Sequence, residues 1–281
     1  MTAPLDPPRH LVAEAVARAL AEDLGPLGDL TAALIPAEQH GVADFVARRA
    51  GVLAGTACAT EAFAQLDPSV DLEWRVLDGA ALDAGTVIGT VGGPLRSVLT
   101  GERTALNFLC HLSGVATATR AFVDALDGRA RVLETRKTLP GLRALEKAAV
   151  RAGGGVNHRG SLSDMVLVKD NHLAIGGIDL QAAVTRAREE LPGVPVEVEA
   201  DDLAGVRLAL KVGADRILLD NMDEATMREA VKLCRGHAIT EASGGMDLES
   251  VARAADCGVD CVSVGALTHS SPALDLALDL D

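Results

Sequence analysis

From residue 131 onward, short apolar runs alternate with helical patterns, and this alternation constrains the fold more than any other feature of the chain. Six apolar runs predict β-strands, at 131–135, 165–169, 195–199, 216–220, 238–242 and 260–264. Helical patterns fill most of the gaps, at 141–152, 178–190, 201–212, 223–235 and 247–256. Repeated strand–helix units predict a parallel sheet with right-handed crossovers. The first strand is not followed by Gly-x-Gly-x-x-Gly, so a dinucleotide-binding unit is disfavoured.

The first hundred residues carry a different pattern. Two helices are predicted, at 10–23 and 55–66. Three strands are predicted, at 42–49, 70–76 and 86–91. The run 70–76 alternates strictly between apolar and polar residues, which is typical of a strand with one wet face. Residues 96–127 then predict helices with a break at Gly114.

We therefore expect an α/β protein, with an incomplete TIM-like α/β barrel of about six parallel strands and an N-terminal α+β sandwich domain. The expected boundaries are 1–112 for the N-terminal domain with its antiparallel sheet and 113–268 for the barrel. A C-terminal segment, 269–281, is expected to return to the N-terminal domain.

Composition excludes several classes of partner. Asp and Glu number 40 against 26 Lys and Arg, which gives a net charge of −14. A chain this acidic is repelled by nucleic acids and by anionic membranes. Aromatic residues make up 2% and Tyr is absent, so aromatic stacking on bases is disfavoured as well. We expect neither nucleic acid nor membrane as a partner.

The cysteines favour a reducing compartment. There are five, an odd number, with no Cys-x-x-Cys pair and no neighbouring set of zinc ligands. Buried, reduced thiols are the expected state, and the expected location is the cytoplasm. No apolar run approaches the roughly 18 residues that span a bilayer.

Polar or small residues follow every strand of the predicted barrel. They are Glu134–Lys137, Lys169–Asn171, Glu199, Asp220–Asn221, Glu241–Gly245 and Gly265–Ala266. Active sites of α/β barrels lie at the C-terminal ends of the strands, and the last loops often bind phosphate. Ser243-Gly244-Gly245 suits that role because glycines let backbone N–H groups approach an anion. Taken singly, this turn could be only a turn, and Glu199 or Asp220 could be only a helix cap.

The stretch from Glu134 to His172 is basic within this acidic chain. Its seven cations, against four acids, are Arg136, Lys137, Arg143, Lys147, Arg151, Arg159 and Lys169. A local basic patch indicates a small anionic ligand held by Arg and Lys. Arg143, Lys147 and Arg151 recur every four residues, which fits either a solvated helix face or a site. His158 could be structural or could donate to a carboxylate.

Several blocks of this sequence resemble the quinolinate phosphoribosyltransferase family. The most specific is ETRKTLPGLR at 134–143. The other matching blocks, in order, are Asp29–Thr31, Thr100–Asn107, Gly153–Arg159, Val168–His172, Glu197–Glu199, Leu218–Asn221 and Val264–His269. The resemblance covers nearly the whole chain. Departures are small: Ala148 replaces a common aromatic residue, and Gly160-Ser161 stands where the family usually has an apolar residue followed by Gly, so Ser161 could alter the loop beside Arg159.

The resemblance implies transfer of phosphoribosyl from phosphoribosyl pyrophosphate to the ring nitrogen of quinolinate, followed by loss of the adjacent carboxyl group. Nicotinate mononucleotide, pyrophosphate and carbon dioxide would result, as a step of NAD biosynthesis. Quinolinate is a flat dianion, so it needs a rigid cage of cations. By analogy, that cage is formed by Arg103, Arg136, His158, Arg159 and Lys169.

The resemblance also implies a site for phosphoribosyl pyrophosphate. Its expected residues are Lys137, Thr138, Glu199, Asp220, Ser243, Gly244, Gly245, Val264, Gly265 and Ala266. The catalytic residues would be Lys137, Lys169, Glu199 and Asp220. Glu199 and Asp220 would also position Mg²⁺, a cation that prefers oxygen ligands. The implied assembly is a homodimer, or a larger assembly of dimers, in which Arg103 reaches the active site of the other subunit.

Two alternatives remain at this point. A related phosphoribosyltransferase could act on nicotinate or another heterocyclic acid, although the surplus of cations favours a dicarboxylate. A non-catalytic protein could bind phosphorylated metabolites, although binding alone does not need the carboxylates of Glu199 and Asp220.

Overall fold

The structure is a computed structural model that describes residues 6–177 and 179–280. The chain divides into two compact units. The first comprises the described residues of 1–120, 138–154 and 266–281, and the second those of 121–137 and 155–265.

The elements follow in chain order. The first half contains α1 (Arg9–Leu24), a 3₁₀ turn (Ala32–Leu34), β1 (His40–Ala47), β2 (Gly51–Val52), α2 (Thr56–Leu66), β3 (Asp71–Trp74), β4 (Ala81–Leu82), β5 (Val87–Pro94) and α3 (Leu95–Leu126). The second half contains β6 (Arg131–Leu133), α4 (Arg143–Ala152), β7 (Val166–Val168), α5 (Asp170–Ala174), α6 (Leu180–Glu190), β8 (Val196–Ala200), α7 (Leu203–Lys211), β9 (Arg216–Asp220), α8 (Glu224–Cys234), β10 (Ile239–Ser243), α9 (Leu248–Asp256), β11 (Cys261–Ser263), α10 (Ala266–His269) and β12 (Leu276–Leu280).

The first unit contains a four-stranded antiparallel sheet in the order β12-β1-β5-β3. The sequence predicted the three strands near β1, β3 and β5 but not β12 or the short pair β2–β4. Helices α1 and α2 contribute to the same core as the sheet, which includes the fully buried Phe45 and Phe63. Leu276 of β12 is also buried in this core, and this explains why a short terminal strand is held.

Helix α3 runs without interruption over 32 residues, so the expected break at Gly114 is wrong. The glycine serves packing instead. A Cβ atom at Gly114 would lie 2.2 Å from the carbonyl oxygen of Pro272, a distance no side chain tolerates. The segment that leads to β12 therefore crosses α3 where only a glycine leaves room.

The basic residues of α4 do not form a solvated face, which decides one of the alternatives left open by the sequence. The Lys147 residue is only 6% exposed. Arg143 donates from Nε to Thr138 Oγ1, and Arg151 donates from Nη1 to the carbonyl oxygen of Lys147. Glu146 and Lys147 of this helix are buried, and Arg143 and Arg151 are half-buried.

The second unit confirms the predicted parallel sheet. Its strand order is β6-β11-β10-β9-β8-β7, and every ladder is parallel. Consecutive strands β7 to β11 are neighbours, and β11 then pairs with β6, the first strand. In the described residues no ladder joins β6 to β7, so the barrel is open there, as the sequence predicted.

The helices between the strands agree with the predicted pattern apart from one addition. Helix α6 begins at Leu180, and Ile178, the first residue of the predicted helix, lies outside the described residues. The short helix α5, which follows β7 directly, was not predicted. Asp179, Asp202, Asp223 and Asp247 each accept a backbone N–H at the start of α6, α7, α8 and α9. These side chains set where four of the helices begin.

The five cysteines are all free, as expected, and four of them are buried. Burial raises the pKa of Cys58 to about 12 and that of Cys234 to about 11. Among the described helices, none is both long enough and apolar enough to cross a membrane.

Gly114→Ala tests the packing of α3. Alanine normally stabilises a helix interior by about 1 kcal/mol relative to glycine, but here its methyl group meets the Pro272 carbonyl. We expect a net destabilisation of about 1–3 kcal/mol, measured by denaturant unfolding. Gly205→Ala in α7 is the matched control, because its Cβ would lie 3.2 Å from Ala200 Cβ, a contact that small shifts relieve. Equal effects of the two substitutions would contradict the role given to Gly114.

Candidate active site

The C-terminal ends of the barrel strands surround a cavity of about 310 Å³. We call it the cation cavity, because four of its side chains are Arg or Lys. It is lined by Thr135, Arg136, Lys137, His158, Arg159, Leu167, Lys169, Leu218, Glu241, Ser243 and Ser263. Residues two apart on one strand, such as Glu241 and Ser243 of β10, line it together because side chains of a strand alternate between its faces.

Two guanidinium groups lie near each other at this cavity. Burial and the positive charge of Arg136 lower the pKa of Arg159, although the guanidinium remains charged. Arg159 also donates from Nη1 to the carbonyl oxygen of Met165 at 3.3 Å. Two like charges held together are stabilised by a ligand with more than one negative charge.

Glu134 attaches the loop that carries Arg159 to the end of β6. It is fully buried, and it accepts from Asn157 Nδ2 at 3.0 Å and from the backbone N–H of His158 at 3.1 Å. A charged group that leaves water completely needs such partners. Glu134 therefore fixes where the chain turns before Arg159.

Asp164 closes the loop that follows Arg159. It accepts from the backbone N–H groups of Gly160 and Ser161, at 2.6 and 3.1 Å, and from the Ser161 hydroxyl at 2.7 Å. Ser161, where the sequence departs from the family pattern, thus stabilises the loop through its own side chain.

Lys169 lies between β7 and α5. Its backbone N–H donates to His172 Nδ1 at 2.9 Å, and its ammonium group forms an ion pair with Glu199 at the end of β8. The Lys169 side chain is 42% exposed, and that of Glu199 is 10% exposed. The ion pair places a partly accessible cation at the cavity and leaves the carboxylate almost buried.

The turn Ser243-Gly244-Gly245, which we call the anion loop, follows β10. Gly244 has φ +109°, and a Cβ atom there would lie 2.1 Å from Asn221 Oδ1. Gly245 also has positive φ, at +50°, but no atom lies within 4 Å of its would-be Cβ. Gly244 and Ser243 also line a second cavity of about 420 Å³ with residues from the start of α8 and from α9. The loop is thus open on one side and tightly packed on the other.

Asp220 and Asn221 face this loop from β9. Asn221 donates its backbone N–H to the Ser243 carbonyl at 3.0 Å and its side chain to Asp220 Oδ2 at 2.7 Å. Asn221 itself has φ +52°, a conformation uncommon for residues other than glycine. The strained turn holds the Asp220 carboxylate at the end of the strand.

Four ionisable groups form a cluster beneath the cation cavity, which we call the buried ion cluster: His158, Glu197, Arg216 and Glu241. His158 Nε2 lies 3.2 Å from Glu197 Oε2 and 3.4 Å from Glu241 Oε2. Arg216 Nη2 lies 2.9 Å from Glu241 Oε2, and its Nε lies 3.9 Å from Glu197 Oε1. Glu197 is 0% and Glu241 1% exposed. Two acids are thereby balanced by two basic groups.

The cluster shifts the pKa values of its members in different directions. Burial and the charge of Glu241 raise the pKa of Glu197. Burial also opposes ionisation of Glu241, but His158 and Arg216 outweigh it and lower its pKa. Burial lowers the pKa of His158, whereas its hydrogen bonds and charge contacts with both acids raise it to about 9. The Arg159 N–H acts against this rise, because it donates to His158 Nδ1 at 2.8 Å and a proton there would remove its acceptor.

His158, Glu197 and Glu241 offer three ligand atoms within 4.8 Å of one another, an arrangement compatible with a metal ion. We interpret the group as an internal ion-pair network instead. The Arg216 guanidinium already neutralises Glu241 at hydrogen-bond distance, and a bound cation would bring a second positive charge beside it.

Six of the fifteen site residues predicted from sequence line one cavity. The cation cavity is lined by Arg136, Lys137, His158, Arg159, Lys169 and Ser243. Glu199, Asp220, Gly244, Gly245, Val264 and Gly265 belong to the same unit. Val264 donates its N–H to the carbonyl oxygen of Leu133, so this amide is committed to the sheet. Arg103, Thr138 and Ala266 belong to the first unit.

Sequence reasoning gave no role to Glu134, Glu197, Arg216 or Glu241. A usable signal was present: Glu197 lies two residues before Glu199 and Glu241 two before Ser243, so each shares a strand face with a predicted site residue. A charged residue on the interior face of a barrel strand must have a buried partner.

Comparison with protein families decides the classification. The sequence model described as quinolinate phosphoribosyl transferase, N-terminal domain, matches residues 29–113, and that of the C-terminal domain matches residues 115–279. The chain belongs to the quinolinate phosphoribosyltransferase family. Among similar curated proteins is the nicotinate-nucleotide pyrophosphorylase (carboxylating) of Mycobacterium leprae, 45% identical over 95% of this chain and 96% of that protein. A mitochondrial quinolinate phosphoribosyltransferase (decarboxylating) of Nicotiana tabacum is 43% identical over 94% of this chain and 80% of its own.

Solved structures of the family have the same fold. The nicotinate-nucleotide pyrophosphorylase of Francisella tularensis superposes with a TM-score of 0.93 at 38% identity, covering 98% of both chains. The human nicotinic acid phosphoribosyltransferase is also similar, with a TM-score of 0.60 at 16% identity over 99% of this chain and 74% of its own. At that identity the second likeness concerns the fold alone.

Proposed function

We propose that this protein transfers the phosphoribosyl group of phosphoribosyl pyrophosphate to quinolinate and decarboxylates the product, giving nicotinate mononucleotide, pyrophosphate and carbon dioxide. The observation that carries the proposal is the cation cavity at the strand ends, in a chain that belongs to the quinolinate phosphoribosyltransferase family. The reaction makes the protein a pentosyltransferase of NAD biosynthesis, and its expected location is the cytoplasm.

Quinolinate carries two carboxylates on a flat ring, and the cation cavity supplies matching charge. In the proposed complex, Arg136 and Arg159 each bind a carboxylate of quinolinate. Lys169, whose ammonium group is paired with Glu199, contacts a carboxylate as well. Arginine forms paired hydrogen bonds with a carboxylate in one plane, so two of them fix the ring as well as its charge. The two neighbouring guanidinium groups repel each other, and a dianion such as quinolinate offsets this repulsion better than the monoanion nicotinate does.

Phosphoribosyl pyrophosphate is assigned to the neighbouring strand ends. The anion loop presents backbone N–H groups for phosphate, because Gly244 and Gly245 have no side chains to block its approach. Lys137 and Gly265, which belong to the same unit as the anion loop, complete the proposed phosphate contacts. Glu199 and Asp220, at the ends of neighbouring strands β8 and β9, bind the ribose hydroxyls.

The proposal assigns a magnesium ion to Glu199 and Asp220, and the partly exposed Lys169 ammonium would have to leave Glu199 when that ion binds. Glu199 and Asp220 offer carboxylate oxygens, and the remaining ligands would come from water and phosphate oxygens, as Mg²⁺ prefers. When bound, the ion neutralises the pyrophosphate and makes it a better leaving group. Glu199 and Asp220 also place negative charge where the anomeric carbon becomes positive.

The decarboxylation needs no nucleophile from the protein. After the ring nitrogen has been alkylated, its positive charge stabilises the electron pair that departing carbon dioxide leaves on the neighbouring ring carbon. A proton from water then takes the place of the carboxyl group on that carbon. The role of Arg136, Arg159 and Lys169 is then to hold the carboxyl groups in a fixed orientation.

The direct test incubates the purified protein with phosphoribosyl pyrophosphate and Mg²⁺, with either quinolinate or nicotinate, and follows pyrophosphate release. We expect release with quinolinate and little with nicotinate. Preference for nicotinate would support the alternative of a nicotinate phosphoribosyltransferase. Binding of phosphoribosyl pyrophosphate without release in either case would support a non-catalytic binding protein.

Arg136→Ala and Arg159→Ala should each weaken quinolinate binding far more than phosphoribosyl pyrophosphate binding. Each substitution removes charge-assisted hydrogen bonds worth roughly 1.5–3 kcal/mol. Titration calorimetry with each ligand measures the two losses separately. Arg186→Ala, whose ion pair with Glu190 lies on the exposed face of α6, is the control. Equal losses for both ligands would mean that the two arginines do not form the quinolinate site.

Gly244→Ala and Gly245→Ala separate packing from strain in the anion loop. Both residues have positive φ, but only a side chain at 244 collides with Asn221. We expect Gly244→Ala to raise KM for phosphoribosyl pyrophosphate much more than Gly245→Ala does. A larger effect at 245 would show that the phosphate approaches from the other side of the loop.

The proposed metal requirement predicts loss of activity in excess chelator and recovery on adding Mg²⁺. The combined substitution of Glu199→Ala and Asp220→Ala should abolish turnover at all Mg²⁺ concentrations. Full activity in chelator, or an active double variant, would remove the metal from the proposal.

The proposed assembly is a homodimer with Arg103 acting on the other subunit. Arg103 is an exposed residue of α3 that precedes every barrel strand, so it does not belong to a strand end. Mixing Arg103→Ala chains with Lys169→Ala chains, each inactive alone, should restore about a quarter of native activity after random exchange, because one site of each mixed dimer is complete. Exchange demonstrated by mass, without recovered activity, would contradict the shared site.

A further inference from the structure

Glu197 is a fully buried carboxylate that does not line the cation cavity. Neither Glu197 nor Arg216 is among the residues of its wall, whereas His158, Arg159 and Glu241 are. Any influence of Glu197 on a ligand must therefore pass through another side chain. The nearest titratable group is His158, whose Nε2 lies 3.2 Å from Glu197 Oε2.

His158 connects the buried ion cluster to Arg159. Its Nε2 faces the carboxylates of Glu197 and Glu241, and its Nδ1 accepts the backbone N–H of Arg159 at 2.8 Å. While the Arg159 N–H donates to Nδ1, the proton of the neutral ring lies on Nε2, and a second proton on Nδ1 would break the contact with Arg159. These contacts use both ring nitrogens within the protein, so the ring links the carboxylates to the peptide group from which the Arg159 side chain extends.

We propose that Glu197 is a positioning residue of the quinolinate site, which acts through the His158 ring on the backbone and guanidinium of Arg159. His158 is on this view also a positioning residue rather than a direct donor to the quinolinate carboxylate. The inference rests on the proposed function for its substrate, but the contacts themselves do not depend on that substrate.

The cluster is built to keep the ring in one orientation. Arg216 neutralises Glu241, and Glu197 Oε2 lies 3.2 Å from Nε2 without an ideal hydrogen-bond geometry, so the carboxylate holds the ring through a close charge contact. Glu134 accepts the backbone N–H of His158, which ties this residue to the end of β6. A displacement of a binding group by about 1 Å is enough to impair a reaction severely.

Substitutions at Glu197, on strand β8, test the link between this carboxylate and His158. Glu197→Leu removes the polar group that lies 3.2 Å from Nε2, and Glu197→Gln retains an oxygen at that position. We expect Glu197→Leu to raise KM for quinolinate about tenfold or more, which is a loss of about 1.4 kcal/mol, with KM for phosphoribosyl pyrophosphate unchanged. Glu197→Gln should recover most of this loss. Val198→Ala, also buried on β8, is the control for general loosening and should leave both constants unchanged. Equal changes in both constants, or no rescue by glutamine, would overturn the proposal.

Substitutions at His158 test the other half of the link, and they remain informative if Glu197→Leu does not fold. Asparagine keeps an acceptor near Nδ1, and glutamine keeps a donor near Nε2. If His158 acts on Arg159, His158→Asn retains more quinolinate affinity than His158→Gln. Equal affinities, or a greater loss in His158→Asn, would mean that the ring acts on the substrate itself.

Amide hydrogen exchange at Arg159 separates this inference from the proposed function. We expect the Arg159 N–H to be protected in the native protein and in His158→Asn, and to exchange faster in His158→Gln and Glu197→Leu. This measurement needs no substrate, so it stands even if quinolinate is not turned over by the native protein. Unchanged protection in all variants would overturn the proposal.

Discussion

The barrel mouth of this protein concentrates positive charge, and the rest of the second unit is arranged to make that concentration stable. Arg136, Lys137, Arg159 and Lys169 meet at one cavity. Like charges that line one cavity repel each other, so each must either be paired with an acid or be held in position for an anionic ligand. The Lys169–Glu199 ion pair does the first, and the contacts around Arg159 do the second.

Three buried carboxylates accompany this concentration of positive charge. Glu134, Glu197 and Glu241 are all within 1% of complete burial, where an unpaired carboxylate would be very unfavourable. Each has a partner that also serves the site: Glu134 accepts the His158 backbone N–H, and Glu197 and Glu241 lie against the His158 ring. Replacing one member of such a cluster leaves the others uncompensated, so these positions affect both folding and ligand binding.

Sequence reasoning predicted the barrel well because its signal is local. Each apolar run lies within a few residues of an observed strand, and the residues after the strands converge as parallel strands require. The pattern could not indicate β12, because this strand forms only by pairing with β1, which is far away in the sequence. Gly114 was misread for a related reason: inside a helix, glycine predicts a break unless a distant backbone, here Pro272, requires the space.

Sequence could predict those site residues that lie at or just after the C-terminal end of a strand. Arg136, Lys169 and Ser243 are of this kind. Glu197 and Arg216 lie earlier on their strands, and their partners come from other strands, so only the register of the sheet brings them together. In that register Glu197 lies opposite Arg216 across β8 and β9, and the sequence alone does not contain this pairing.

The central claim is that the cation cavity holds quinolinate while its ring nitrogen is alkylated and its neighbouring carboxyl group is lost. The most direct measurement uses quinolinate labelled with ¹³C in the carboxyl group beside the nitrogen. The account predicts one labelled carbon dioxide for each pyrophosphate, and none when phosphoribosyl pyrophosphate is omitted. Label retained in the nucleotide, or released without phosphoribosyl pyrophosphate, would contradict it.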